Sequence, residues 1–246
     1  MQEILQYALV GLVAQLIDGA LGMAYGITAT SLLLSVGVPP PVASATVHTA
    51  ECFTTGASAL SHHAFGNVNR ELFRRLVLPG MIGAVLGAWL LSSFPLDFFT
   101  PVIAAYLLIM GLIIVVKAFR EFPPRTVTRH VAPLGLVGGF LDAAGGGGWG
   151  PIVASNLVAR GSEVRQAIGS TNAVEFFVAL SATATFVVGI GLTGWQIVVG
   201  LALGGVIGAP LGAWLCKRLP IRPFMMLVGS IIVLISLRTL VLQISG

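Results

Sequence analysis

Apolar residues form long runs along the chain, and short polar or glycine-rich stretches separate them. A helix needs about 20 residues to cross the ~30 Å hydrocarbon core of a bilayer. Six runs have that length, which predicts six full membrane spans. They cover about 42–63, 76–93, 99–119, 166–188, 195–216 and 223–242.

Four shorter runs come in two pairs, at about 4–17 with 27–36 and about 133–141 with 151–160. The run at 4–17 would give a helix of roughly 21 Å, too short for a span. The pairs are interrupted by Asp18–Gly26 and Asp142–Gly150, each with one acid, several glycines and one aromatic residue. Glycine weakens a helix, and an acid in an apolar run is costly. Each pair therefore predicts a re-entrant hairpin with a polar tip, with one long kinked helix as the alternative.

The composition indicates whether this chain lies in water or in a lipid bilayer. Of 246 residues, 56% are hydrophobic and 9% are charged, against about 25% charged in a soluble domain. We therefore expect a multi-pass protein of the cell (inner) membrane, with the lipid bilayer as its surroundings. The net charge of +4 comes from short clusters between apolar runs, which argues against nucleic acid as a partner. The start Met1-Gln2-Glu3 lacks the basic region of a cleaved signal peptide.

The two halves repeat one plan. At a shift of 124 positions, Gly22, Gly26 and Glu51 match Gly146, Gly150 and Glu175. After one inserted residue, Gly83–Leu90 matches Gly208–Leu215 at seven of eight positions. This duplication predicts a first membrane repeat at 1–122, a basic cytoplasmic linker at 123–132 and a second repeat at 133–246.

Basic loops indicate how the repeats are oriented, because cytoplasmic loops are enriched in lysine and arginine. Loop 64–75 is basic while its counterpart 189–194 is uncharged, and loop 160–165 is basic while its counterpart 37–41 is uncharged. Loop 117–130 and turn 216–222 are also basic. Matched loops thus lie on opposite sides, as in inverted repeats. The predicted fold is an all-α integral membrane bundle of two inverted repeats, each with one re-entrant or broken helix pair plus three transmembrane helices. Arg238 has no place in this scheme.

The glycine-rich tips are the first candidate site. A helix that restarts inside the protein presents free N–H groups and a positive dipole end, which favour a small anion. Tight helix packing through glycine is the alternative, and Gly83-x-x-x-Gly87 and its copy are read in that structural way. Residues 145–150 also fit G-x-G-x-x-G, but no strand precedes them, so a dinucleotide site is not expected. The substrate-binding residues predicted at the tips are Gly22, Tyr25, Gly26, Gly146, Gly147, Gly148 and Trp149.

The third helix of each repeat supplies the second candidate site. Its hydroxyl, imidazole and amide groups suit oxygen ligands, and these predicted substrate-binding residues are Thr46, His48, Ser170, Thr171 and Asn172. A carboxylate beside an anion must be protonated or must hold a cation. Asp18, Glu51, Asp142 and Glu175 are therefore predicted to couple transport to a proton or sodium ion, unless they only pair with basic groups or helix ends. His62 and His63 are expected to be solvated loop histidines.

The tips and the segments that follow them, Ala43-Ser44-Ala45-Thr46 and Gly169-Ser170-Thr171-Asn172, resemble the TauE/SafE family of membrane transporters over essentially the whole chain. The resemblance implies secondary export of a small sulfur-containing anion, sulfite or an organosulfonate, without a cofactor. A membrane potential of 100 mV, negative inside, contributes about 2.3 kcal/mol to the exit of one negative charge. An anion channel is the alternative, and a metal-dependent membrane enzyme using His48, Glu51 and Cys52 is a third hypothesis. No metal site is predicted, and the oligomeric state is left open.

Overall fold

A computed structural model describes residues 2–23, 25–93, 96–119, 129–160, 162–191, 194–216 and 221–245. Every regular element in these ranges is helical. Most of the predicted linker 123–132 lies outside them, as do parts of the loops at 117–130, 189–194 and 216–222. The helices are α1 (Gln2–Leu21), α2 (Tyr25–Ser35), α3 (Pro40–Ala64), α4 (Arg70–Ser93), α5 (Leu96–Ala118), α6 (Val131–Gly145), α7 (Ser155–Ala159), α8 (Val164–Ile190), α9 (Trp195–Leu215) and α10 (Ile221–Ser245), with a π-helical turn at Gly150–Ala154 before α7.

The surface of the bundle is apolar, whereas much of its interior is polar. Val188, Leu60 and Leu5 are 89%, 74% and 72% exposed, while Asp142 and Glu51 are buried. Five of the described helices are long and apolar enough to cross a membrane. Since no soluble protein leaves so many large apolar side chains in water, the chain is an all-α multi-pass membrane protein, as predicted.

The first helix is longer than predicted. α1 does not stop at Asp18 but continues to Leu21, so its 20 residues reach about 30 Å, enough to span the hydrocarbon core. The expectation of a half-length first helix was therefore wrong. One acid does not end a helix, because its backbone can keep helical geometry; the helix ends at Gly22, whose φ of +67° is accessible mainly to glycine. α6, with 15 residues, ends in the same way at Gly146, where φ is +70°.

Both interrupted helices fold back on themselves. Val13 of α1 and Leu32 of α2 line one apolar groove, although a continuous helix would hold them about 28 Å apart. Gly138 of α6 likewise contacts Val153 of the π-helical turn. These contacts fit two helical hairpins and not the alternative of kinked continuous helices.

Helix packing follows the same pattern in both halves. The packing of α1 on α9 corresponds to that of α6 on α4, and the packing of α3 on α9 corresponds to that of α8 on α4. In addition, α3 packs on its counterpart α8, and α5 packs on its counterpart α10. Glycine makes the closest contacts: Gly83 and Gly87 lie against the backbone of α6, and Gly208 and Gly212 lie against that of α1. The structural reading of these glycines agrees with this packing. The inverted orientation and the repeat boundaries stay predictions.

The structure gives Arg238 a local role. Its Nη1 donates to the carbonyl oxygen of Ser35 at 2.9 Å, at the C-terminus of α2. The last carbonyl groups of a helix lack partners within the helix and carry partial negative charge. The guanidinium of α10 thus caps the second arm of the first hairpin.

Candidate functional site

The two hairpin tips meet inside the bundle. A Cβ atom on Gly26 would lie 2.9 Å from Gly147 Cα, and one on Gly150 would collide with Met23. The hydroxyl of Thr30 donates to the carbonyl oxygen of Gly146, joining α2 to the second tip. Because only residues without side chains permit this approach, glycine here serves backbone-to-backbone contact between the halves.

Asp142 organises the second tip. Its carbonyl oxygen accepts the N–H of Gly147 at 2.8 Å and the N–H of Gly146, and its Oδ1 accepts the N–H of Trp149 at 2.9 Å. The acid therefore closes α6 and holds the start of the next helical segment. The indole of Trp149 is fully buried, and its Nε1 donates to the carbonyl oxygen of Thr171 at 3.1 Å.

His48 of α3 connects this tip to the third helix. It is fully buried, its Nδ1 lies 2.8 Å from the carbonyl oxygen of Ser44, and its Nε2 lies 3.2 Å from Asp142 Oδ2. A carbonyl oxygen only accepts, so Nδ1 carries a hydrogen. Ser44 Oγ donates to the carbonyl oxygen of Ala143 at 2.8 Å, which holds this part of α3 against α6, and Phe186 covers the imidazole with ring centroids 6.1 Å apart.

Glu51 completes a cluster with His48 and Asp142. Its Oε2 lies 3.9 Å from His48 Nε2, and neither carboxylate oxygen has a hydrogen-bond partner among the described residues. One ligand atom from each of the three residues lies within 4.8 Å of the others, so one nitrogen and carboxylate oxygens converge on a place where a cation can bind. Cys52 points elsewhere, with Sγ 3.3 Å from the carbonyl oxygen of His48 and 3.5 Å from Thr183 Oγ1.

The positions that match this cluster in the repeat offer acids but no second imidazole. Asp18 and Glu175 are buried, and Glu175 Oε2 has no hydrogen-bond partner among the described residues. The counterpart of His48 is Asn172, which accepts from Ser58 Oγ at 2.7 Å and donates to the carbonyl oxygen of Ile168 at 3.2 Å. The site is therefore symmetric in its carboxylates and asymmetric in its basic group.

Several predicted substrate-binding groups are occupied elsewhere. Ser170 Oγ accepts the N–H of Asn69 at 2.8 Å, and Thr171 Oγ1 bonds to carbonyl groups of its own helix. The hydroxyl of Tyr25 donates to the carbonyl oxygen of Leu201 at 3.2 Å. Thr46 lies beside Gly194, at the loop that joins α8 to α9, and its buried hydroxyl has no hydrogen-bond partner among the described residues.

The remaining tip glycines contact neighbouring side chains. Gly22 lies against Ile168, and Gly148 lies against the hydroxyl of Tyr106. That hydroxyl has no hydrogen-bond partner among the described residues, although a buried phenol normally finds one. It is thus a further polar group at the second tip.

The buried side chains at this centre include more acids than basic groups. Asp18, Glu51, Asp142 and Glu175 are all buried, whereas no lysine or arginine whose side chain the structure describes is buried. Unpaired buried carboxylates are strongly unfavourable in a membrane. Protons or a bound cation must therefore offset most of this charge.

Comparison with known proteins agrees with the geometry. Residues 7–239 match the sequence model of the family described as Sulfite exporter TauE/SafE. The chain belongs to this family. It is 44% identical to the probable membrane transporter protein YtnM of Bacillus subtilis, over 98% of this chain and 84% of that protein. It is also 26% identical to the probable membrane transporter protein YdhB of the same organism, over 82% and 84%, and 28% identical to the probable membrane transporter protein ORF9 of Sinorhizobium sp, over 82% and 78%. No solved structure matches it.

In this TauE/SafE protein, sequence reasoning missed four polar residues at or near the tips. Ser44 lies one helical turn before His48, on the same face of α3, and that spacing was a usable signal. Thr30 and Tyr106 are polar groups within apolar runs. His62 was expected in solvent, but it is fully buried, with Nε2 3.1 Å from the carbonyl oxygen of Gly19 and Nδ1 3.1 Å from Asn67 Nδ2. That expectation was wrong, because the first tip covers this side of α3 through Gly19; His63 is exposed as expected.

Proposed function

We propose that this TauE/SafE protein is a secondary transporter that exports a small sulfur-containing anion, sulfite or an organosulfonate, by alternating access. The observation that carries the proposal is the contact between two broken-helix tips beside a cluster of buried titratable groups. Secondary transporters place their substrate sites between such discontinuous helices near the middle of the membrane. The family description, which names sulfite export, agrees with this substrate class.

Anion recognition in this proposal uses the helix starts after each break. α2 begins at Tyr25, and the second segment begins beside Trp149 and Gly150. Their first N–H groups lack partners within the helix and lie at the positive end of its dipole. The N–H of Trp149 is already donated to Asp142 Oδ1, so an anion at the second tip would interact with the helix dipole and not with this N–H. In the present conformation the tips touch, so the substrate must separate Gly26 from Gly147 to bind between them. This separation is the opening step that alternating access requires.

Proton coupling follows from the excess of buried acids at the centre. Nδ1 of His48 donates its hydrogen to the carbonyl oxygen of Ser44. The 3.2 Å contact between Nε2 and Asp142 is therefore a hydrogen bond only when one proton lies between these two groups. With that proton, His48, Asp142 and Glu51 together carry one negative charge, which repels an anion. A second proton neutralises the cluster. We therefore propose that the anion and this second proton move together, so that a monovalent anion leaves as a neutral pair and its own outward concentration gradient drives export.

The arrangement of the halves fits this cycle. The matched packing of α1–α9 with α6–α4, and of α3–α9 with α8–α4, is what two related repeats produce. We propose that repeats 1–122 and 133–246 are inverted, as the charges of their loops indicate. In an inverted pair, exchanging the conformations of the two halves converts an inward opening into an outward one.

The test is efflux from proteoliposomes loaded with methanesulfonate, which stays ionised across the working pH range. We expect saturable efflux that external substrate stimulates and that an acidic lumen accelerates. Protein-free liposomes are the control. Flux that never saturates would favour a channel, and flux indifferent to lumenal pH would remove the proton from the mechanism.

Variants test the assignment of the coupling acids. Asp142→Asn and Glu175→Gln should each lower efflux at least tenfold, because a carboxamide cannot take up and release the proton. Cys216→Ala is the control, since Cys216 lies at the end of α9 and is not one of the acids proposed to bind the proton. Equal efflux in all three would exclude these acids from transport. We assign the chain no enzymatic reaction.

A further inference from the structure

A groove separate from the central site lies on the outside of the bundle, between α3 and α4. It has a volume of about 620 Å³ and is floored by α8. Leu60, Phe73, Phe176 and Phe177 supply most of its apolar wall. Two edge-to-face ring pairs stiffen that wall, Phe73 with Phe177 at 5.7 Å and Phe176 with Phe177 at 5.0 Å between centroids. The groove is thus a preformed apolar slot beside side chains that face the membrane.

One end of the groove is basic. Arg70, Arg74 and His63 line it where the loop from α3 enters α4. Arg70 and Arg74 lie one helical turn apart, on one face of α4, and both are exposed. No ion pair of either arginine occurs in the described part of the chain, in contrast with Arg75, whose Nη2 lies 2.6 Å from Glu71 Oε1. Two guanidinium groups are therefore available to an anionic ligand.

We propose that this groove binds one anionic phospholipid, with its phosphate on Arg70 and Arg74 and an acyl chain along Phe73, Phe176 and Phe177. The ligand must be amphiphilic, because a small anion would leave the apolar slot empty and an uncharged lipid would leave both arginines unpaired. The sequence places loop 64–75 on the cytoplasmic side, where the leaflet is rich in anionic lipid. The proposal does not depend on what the central site transports.

The site has a structural consequence for the bundle. α3 carries His48 and Glu51, and it meets α4 mainly through α8. A lipid in the groove would fill the gap between α3 and α4 at their cytoplasmic ends. Occupancy would thus brace the helix that carries part of the central cluster.

Native mass spectrometry of the protein released from nanodiscs tests the proposal. The discs contain equal amounts of phosphatidylglycerol and phosphatidylethanolamine, and the readout is the retained lipid of each kind. A basic residue near an anionic surface contributes about 1 kcal/mol, or roughly fivefold in affinity. Arg70→Gln with Arg74→Gln should therefore reduce retained phosphatidylglycerol by about 25-fold. Arg75→Gln is the matched control on the same helix and should leave it unchanged.

A second variant separates the groove from surface charge in general. Ala59 is half-buried in the groove wall, so Ala59→Trp fills the slot while both arginines remain. We expect it to lose the retained phosphatidylglycerol as well, with normal helicity by circular dichroism. Retention in Ala59→Trp, or equal losses in Arg75→Gln and the double variant, would overturn the proposal. Displacement of the lipid by soluble glycerophosphate would identify a free-phosphate site and overturn it too.

Discussion

Gly147→Ala tests whether the two tips must touch. Gly147 has a φ of +135°, a value that L-residues rarely adopt. A Cβ atom there would lie 2.5 Å from the carbonyl carbon of Gly26, a backbone atom that cannot rotate away. Gly37 is the control, because its φ is +86° and no atom lies within 4 Å of its Cβ position.

The two glycines therefore separate backbone strain from crowding. At Gly37 an alanine costs only the left-handed backbone, about 1–2 kcal/mol. At Gly147 the new Cβ would lie 2.4 Å from the nitrogen of Ile27 and must move about 1.0 Å to reach 3.4 Å, where ordinary contact begins. Forcing an extra carbon into a packed site costs typically 1–3 kcal/mol. The expected loss in free energy of unfolding is thus about 2–5 kcal/mol at Gly147.

Thermal unfolding in detergent measures the loss of stability in each variant, and methanesulfonate efflux measures the effect on transport. We expect Gly37→Ala to unfold slightly earlier and to transport normally. Gly147→Ala should unfold earlier still and should lose most of its efflux even at temperatures where it is folded. If the two variants behave alike in both assays, the tips do not meet as described and the basis of the proposed site is removed.

Four further substitutions probe single contacts, each read by thermal unfolding and efflux. Trp149→Phe leaves the carbonyl oxygen of Thr171 without its indole donor and should cost about 1–3 kcal/mol; unchanged stability would contradict that bond. Thr30→Val removes the donor to Gly146 and should cost a similar amount while lowering efflux, because it loosens the tip contact. Ser170→Ala should cost about 1 kcal/mol and leave efflux intact, whereas lost efflux would return Ser170 to the substrate site. Arg238→Gln should cost about 0.3–1 kcal/mol, and high salt should reduce that difference.

Hydrophobic pattern predicted the helices well because membrane helices are selected by local composition. The six predicted spans all fall on helices, and both breaks fall at glycines with positive φ, Gly22 and Gly146. The error in α1 has a local cause as well. A polar residue marks where burial is costly, but only the backbone decides where a helix ends, and Asp18 keeps helical geometry for a further three residues.

Pairing across the chain was harder to predict. The repeat predicted two matched tips, and the structure brings them together, with Gly26 against Gly147. The partner of His48 is Asp142, 94 positions away, and no local pattern encodes such a contact. Ser170 and Thr171 were chosen because their hydroxyl groups suit an oxyanion. Hydroxyl groups in helices often bond nearby backbone, as Thr171 does here, whereas Ser170 bonds the backbone of Asn69, 101 positions away.

The imidazole of His48 makes the duplicated fold asymmetric in its titratable groups. The repeat copies both carboxylate positions, Asp18 with Asp142 and Glu51 with Glu175, but it sets Asn172 opposite His48. An amide does not take up a proton in this pH range. Asn172 of α8 therefore cannot share a proton with a carboxylate in the way proposed for His48 and Asp142. Under the proposed coupling, the proton shared by an imidazole and a carboxylate belongs to the second tip, while the matching position at the first tip has only an amide. The two halves would then differ in their protonation chemistry although they share one packing plan, and the gradients of anion and proton would set the direction of net transport.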